Sequence, residues 1–298
     1  MSMMRGGNTA ALAVLCACGR LEFGELGDAG APAARTCWDQ WTSGTIAMAT
    51  PQRIAELVST MPQGNPSLSS DGFTLYFDRS GALYASTRSA LDAPWQPAVR
   101  LDAIDGGTSE GRMTVTAVDS LVVFASDRGT NTQLWTTRRS GDMQFDAPSQ
   151  SFVTALLSSD NELDPELSAD GLHLYYAPYD MTSNIQLIVV ASRASTSDAF
   201  AGPTELPELQ ISTAIGDPSL SPDELVIAFS SGTTMADNDL YYATRADRAS
   251  SFGTPLVIPG VNASGVSDND VELSRDGCEI YFTSFRGGLS ELYLARVP

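Results

Sequence analysis

An all-β ring of five four-stranded antiparallel blades, a five-bladed β-propeller, is the fold the sequence predicts, on three observations. First, a thirteen-residue unit recurs five times without gaps: NPSLSSDGFTLYF (65–77), RMTVTAVDSLVVF (112–124), DPELSADGLHLYY (164–176), DPSLSPDELVIAF (217–229) and DVELSRDGCEIYF (270–282). Its terminal aromatic falls at Phe77, Phe124, Tyr176, Phe229 and Phe282, at intervals of 47, 52, 53 and 53 residues, which marks a tandem array. Second, every unit is followed by a short strand ending in Arg (Arg88, Arg139, Arg193, Arg245, Arg296). In four of them an aromatic and a proline then precede an apolar stretch: Trp95 and Pro97, Phe145 and Pro148, Phe200 and Pro203, Phe252 and Pro255. Third, the fifth copy stops at Val297-Pro298, before its Pro-led strand, and that pattern stands at the other end as Thr50-Pro51-Gln52-Arg53-Ile54-Ala55-Glu56-Leu57.

Each element follows from local chemistry. The Ser-x-Asp-Gly segments at 69–72, 168–171 and 274–277 read as turns, with Ser and Asp side chains bonding the turn backbone and glycine supplying positive φ. The apolar hexapeptides around them are strands of a hairpin. One such blade cannot bury both faces, so neighbours must stack, and stacking about an axis is the propeller solution. Residues 45–60 are expected to return as the missing outer strand of the last blade and close the ring; an open array would need polar terminal copies, and these are as apolar as the rest.

The copies resemble the WD40-like (PD40) repeat in the propeller of TolB-type periplasmic proteins, whose pattern runs Asp-x-Pro-x-x-Ser-Pro-Asp-Gly, a strand, then Leu-Tyr and Arg. DPSLSPD at 217–223 matches best, and copy two, with Val118-Asp119 for Asp-Gly, matches least. The resemblance spans residues 45–298 and implies the fold; propellers carry many unrelated activities, so it names no function.

Residues 1–18 hold one positive charge, Arg5, then an apolar run from Ala10 to Ala17; Leu15-Cys16-Ala17-Cys18 resembles a bacterial lipobox with Cys18 as the lipidated residue. An ordinary secretory signal is the alternative. The run is shorter than the roughly 20 apolar residues of a spanning helix. Residues 19–44, rich in Gly and Ala, read as a flexible tether, leaving 45–298 as the propeller. The expectation from these features is export, to the periplasmic or surface side of an outer membrane and anchored by lipid if Cys18 is the lipidated residue, or secretion without an anchor if the segment is an ordinary signal. With Cys16 and Cys18 set aside, Cys37 and Cys278 remain as a candidate disulfide stapling the closure, or as two free thiols.

The chain has 36 acidic residues against 17 basic ones, all arginine, and a formal charge of −19. Such a surface repels phosphate backbones, which argues against nucleic acid as a partner. A monomer is expected.

Alignment of the copies places Asn65, Arg112, Asp164, Asp217 and Asp270 at one height of the innermost strand, facing the channel. Two residues later come Ser67, Thr114, Glu166, Ser219 and Glu272, and two earlier Gln63, Glu110, Glu162, Ile215 and Asp268, so one side of the strand reads as acidic over three layers. Two uses fit the ring. Asp164, Asp217 and Asp270 could hold Ca²⁺ or another cation on the axis, with Asn65, Arg112, Glu166 and Glu272 as further channel-binding residues. Alternatively each Asp bonds backbone amides and Arg112 balances the rest. No cofactor is otherwise called for.

Nucleophilic catalysis has little support: His173 is the sole histidine, flanked by Leu172 and Leu174, and there is no Gly-x-Ser-x-Gly elbow. Three functions remain. The first is a non-enzymatic binding module presenting its channel mouth or loops, Thr182–Gln186 and Thr233–Asp239 among them, to an envelope protein, peptide or polysaccharide. The second is a glycosidase using channel carboxylates; against it, the copies are regular and Trp38 and Trp41 fall in the tether, away from any sugar platform. The third is a spacer.

Overall fold

The computed structural model describes residues 36–116, 120–141, 143–234 and 237–298. Cys18, most of the tether and the Val118-Asp119 departure in copy two lie outside the described residues.

Among the described residues the strands make five antiparallel blades. The innermost strands are Gln63–Leu68, Glu110–Val115, Asn161–Leu167, Ala214–Leu220 and Asp268–Leu273. The aromatic-ended hexapeptides supply the second strands, and the Arg-ended segments the third. A proline stands immediately before the outer strands Thr204–Glu205, Leu256–Val257 and Gln52–Arg53. Proline fits there because an edge strand can forgo one donor.

Closure takes the form the two chain ends suggest. Gln52–Arg53 pairs antiparallel with Glu291–Arg296, Gln52 opposite Leu294 and Arg53 opposite Tyr293, as the outer strand of blade five. Packing shows the same ring. Each junction between neighbouring blades holds its own buried cluster, and there are five: Tyr76 with Met113 and Phe124, Leu121 with Leu174 and Tyr176, Tyr175 with Ile227 and Phe229, Ala228 with Val271 and Phe282, and Leu75 with Tyr281 and Leu292. A row of five blades left open would have only four such junctions.

Side chains repeated along the sequence do repeated jobs. At each Ser-x-Asp turn the Asp accepts from the Ser hydroxyl, as Ser69 Oγ to Asp71 Oδ1 at 2.6 Å, and from the N–H two residues on. Arg88, Arg193 and Arg245 each donate through Nε at 2.7 Å to the carbonyl of that turn. The same guanidiniums lie 4.6, 4.6 and 4.4 Å over Trp95, Phe200 and Phe252, so Arg and aromatic recur together as a cation–π pair.

The tether expectation is corrected from Thr36 onward. Cys37 N–H donates to Asp276 O, Cys37 is bonded to Cys278, and Trp38–Thr42 forms a short helix. Trp41 is fully buried, its indole N–H on Gly277 O at 2.8 Å and its ring edge-on to Tyr242 at 5.2 Å. A Gly/Ala-rich stretch looks unstructured by composition, but two tryptophans and a cysteine have enough apolar surface to dock on blades four and five. Gly277, at φ +69°, leaves the space Trp38 fills; a Cβ there would sit 2.8 Å from that ring.

Blades three and four are also stitched edge to edge. Ile185–Gln186 pairs with Tyr179–Asp180 and runs parallel to Ala214, an extra strand within the loop Thr182–Gln186.

Candidate functional site

Every innermost strand carries a β-bulge at the aligned channel position, where the register slips between Gly64 and Ser67, Glu110 and Met113, Leu163 and Glu166, Gly216 and Ser219, and Asn269 and Glu272. At the bulge Asn65, Asp164, Asp217 and Asp270 have φ between +53° and +56°. Asn and Asp are the side-chain-bearing residues that tolerate this left-handed backbone best, which accounts for their recurrence.

The bulge also re-aims the strand. One extra residue inverts the alternation, so the positions two earlier do not share the channel face, and the third acidic layer expected from spacing is corrected. Ile215 lies in the core between blades three and four. Glu110 accepts from Gly106 N–H and Arg128, and Asp268 from Ala263 N–H and Arg286, all within or beside their own blade.

The remaining two layers meet at the axis. In the first, each carboxylate takes the backbone N–H of the next blade's equivalent: Asp217 N–H donates to Asp164 Oδ2 at 3.4 Å, Asp270 N–H to Asp217 Oδ2 at 3.1 Å, and Asn65 N–H to Asp270 Oδ2 at 3.0 Å. This relay of three links passes through blades three, four, five and one. Gln186 Nε2 donates to Asp164 Oδ2 at 3.0 Å, Ser230 to Asp217, and Asn65 Nδ2 to Asp78 Oδ1 at 2.8 Å.

In the second layer Arg112, fully buried, reaches across from blade two. Its Nη2 donates to Glu272 Oε2 at 2.9 Å and lies 3.5 Å from Glu166 Oε2, while Nη1 donates to Val271 O at 3.1 Å. Glu272 also accepts from Leu68 N–H at 2.8 Å and from Ser219 Oγ at 3.1 Å. Guanidinium and carboxylates thus close the middle of the passage and leave a mouth at each end.

One mouth, about 180 Å³, is polar and bounded by the carboxylate relay together with Gln186, Ser230, Asn238 and Asn269. The other, about 140 Å³, opens on the turn side; Leu68, Val115, Leu167, Leu220 and Leu273 surround it, with Glu166 and Glu272 at its floor.

One arginine does not balance five carboxylates, and burial resists their charge. Burial first and Asp217 second push Asp270 up to about 8. Burial, then Asp217 and Asp270, hold Asp164 well above the usual carboxylate range. Burial and Glu272 push Glu166 up to about 8, and burial raises Glu272 against the pull of Arg112. Burial opposes the charge on Arg112, but Glu166 and Glu272 outweigh it and hold it firmly protonated.

The structure therefore brings together all seven channel residues expected from spacing. Gln186 and Asn238 belong to the loops Thr182–Gln186 and Thr233–Asp239 that the sequence offers for contact, but their place in the channel mouth is not legible there, because no repeat marks them. A tight cluster of potential ligand atoms among the described residues is not on the axis: Asp170, His173 and Glu224 lie within 4.8 Å of one another between blades three and four. Arg248 Nη1 sits 2.7 Å from Asp170 and 3.3 Å from Glu224, so a protein cation already occupies that charge. His173 Nδ1 lies 3.0 Å from Glu224, which raises its pKa.

No family model matches the chain, and no curated protein matches it. Solved structures do. A GH62 α-L-arabinofuranosidase catalytic domain from Coprinopsis cinerea aligns with TM-score 0.58 at 12% identity, over 85% of this chain and 97% of that one. A GH43_1 enzyme from Xanthomonas citri, solved with xylose, aligns with TM-score 0.58 at 13% identity, over 86% and 92%. TolB from Acinetobacter baumannii aligns with TM-score 0.50 at 12% identity, over 88% and 67%. At such identities the likeness is one of fold: a five-bladed β-propeller, here with its passage closed by its own side chains.

Proposed function

We propose that this propeller is a non-enzymatic binding module, exported and tethered through Cys18, that presents its polar mouth and the loops around it to an envelope protein, peptide or polysaccharide. The observation that carries this reading is the carboxylate relay. Asp164, Asp217 and Asp270 each hold the backbone of the next blade through Oδ2, so one oxygen of each carboxyl already serves the ring. The surrounding rim suits a partner. Met61, Ile185, Ile211 and Phe285 are exposed at the same end of the blades, and an apolar recess of about 290 Å³ lies beside Ile185. Exposed apolar side chains on a polar rim are a recognition feature.

A second reading has one observation in its favour. Asp270 and Asp164 are pushed towards the protonated form, and a carboxyl that keeps its proton is what the general acid of a glycosidase needs. Two relatives in fold are such enzymes by description.

One experiment separates the two. The purified protein and its Asp217→Asn variant are incubated with xylan, arabinoxylan and envelope polysaccharides, and released sugar is measured alongside retention on the insoluble polymer or an immobilised peptide. Retention without release in both proteins is the expected outcome. Sugar release that disappears in Asp217→Asn would overturn it in favour of hydrolysis.

A further inference from the structure

The mouth on the turn side has a chemistry unlike the polar one. Its wall carries five aliphatic side chains, because the residue just beyond the bulged segment is Leu or Val in every copy, namely Leu68, Val115, Leu167, Leu220 and Leu273, together with Ser69, Ser70, Thr116 and Ser221. Its floor is ionic. Glu166 and Glu272 keep 11% and 6% of their side-chain surface open, whereas the one guanidinium between them, Arg112, keeps none. Arg112 is one cation against two carboxyls, and with burial and Glu272 pushing Glu166 up to about 8, Glu166 keeps a proton near neutral pH until a second cation reaches it and the proton leaves.

We infer that this funnel receives a single alkylammonium group, the side chain of a lysine borne by a peptide or envelope polymer, with its charge against Glu166. The inference rests on the binding reading above but concerns the opposite mouth. Size fits one side chain: about 140 Å³ is well below the roughly 300–1,000 Å³ of pockets that enclose a whole small molecule. Shape fits an unbranched methylene stem, which gains from apolar walls while its charged end passes beyond them. A hydrated metal ion would have to shed water against five aliphatic side chains to reach the floor.

The free acceptor capacity at the floor favours lysine over arginine. Glu272 already accepts from Leu68 N–H, Ser219 and Arg112, whereas Glu166 is held by Arg112 at 3.5 Å and by the Thr114 side chain, which leaves it the less engaged of the two. One carboxylate suits a compact ammonium, whereas a guanidinium seeks a fork of two oxygens. Arg275, exposed on the rim, disfavours a run of cations and can meet a carboxylate carried next to the lysine.

The test is a calorimetric and NMR titration of the full protein with Nα-acetyl-lysine, with Nα-acetyl-norleucine as the isostere lacking the charge. Saturable binding of the lysine probe, at least about tenfold tighter than norleucine, is expected. Glu166→Gln should weaken it by a similar factor, and Val115→Phe, which narrows the funnel without touching the floor, should abolish it. Val115 is half-buried at the mouth, so that variant should fold normally and decides the matter if Glu166→Gln unfolds. Equal binding of both probes, or lysine binding unchanged by Val115→Phe, would overturn the inference. Polymer or peptide retention that survives Val115→Phe would leave the binding reading standing on its own.

Discussion

Asp270 shows how a residue can be legible in a sequence while its task stays open between two. Its recurrence with Asn65, Asp164 and Asp217 identifies the channel, and the spacing admits either a cation on the axis or bonds to backbone amides. The left-handed φ and the hydrogen bond to the next blade's N–H make them first a device for turning the strand and joining blades. No linear pattern reveals a bulge, so the inversion of the preceding positions was equally hidden. The elevated pKa of Asp270 has a consequence for stability. The folded ring keeps a proton on it up to about pH 8, whereas the unfolded chain releases it near pH 4. That contribution is complete below about pH 4 and is lost as pH rises through about 8. The melting temperature should therefore fall between pH 5 and pH 9. Asp270→Asn, which installs the residue blade one carries naturally at Asn65, should fold and flatten that fall. Parallel melting curves of the two proteins across this range would show it; an unchanged slope in the variant would count against a protonated Asp270.

At the scale of elements, the blades were readable because hairpin turns, strand alternation and edge prolines repeat, and each copy corroborates the others. The segment before the ring has no second copy to align with. Composition pointed to a tether, yet Trp41 is buried against Tyr242 and Cys37 is bonded to Cys278. Its docking depends on two side chains finding partners more than 230 residues away, as in Trp41 to Gly277 across 236 residues, and no local pattern encodes that. The bridge closes a chain of 241 residues, so the double substitution Cys37→Ser, Cys278→Ser should cost roughly 2–5 kcal/mol. Urea unfolding of both forms measures this difference. A midpoint unchanged in the double variant would mean the segment is held by its tryptophans alone.

For the whole molecule, the ring accounts for the channel: five blades share an axis only because the start of the chain completes the last one. Five junction clusters, the three-link amide relay and the crossing of Arg112 from blade two to blade five all require that closure. The proposal for each mouth stands on the same geometry. The most direct measurement is a cross-link between the ends in the variant Gln52→Cys, Leu294→Cys, whose positions lie directly opposite each other on adjacent strands. Peptide mapping by mass spectrometry after mild oxidation of the native protein should find residues 52 and 294 joined in nearly every molecule. Both thiols remaining free and reactive in the folded protein would contradict the closed ring.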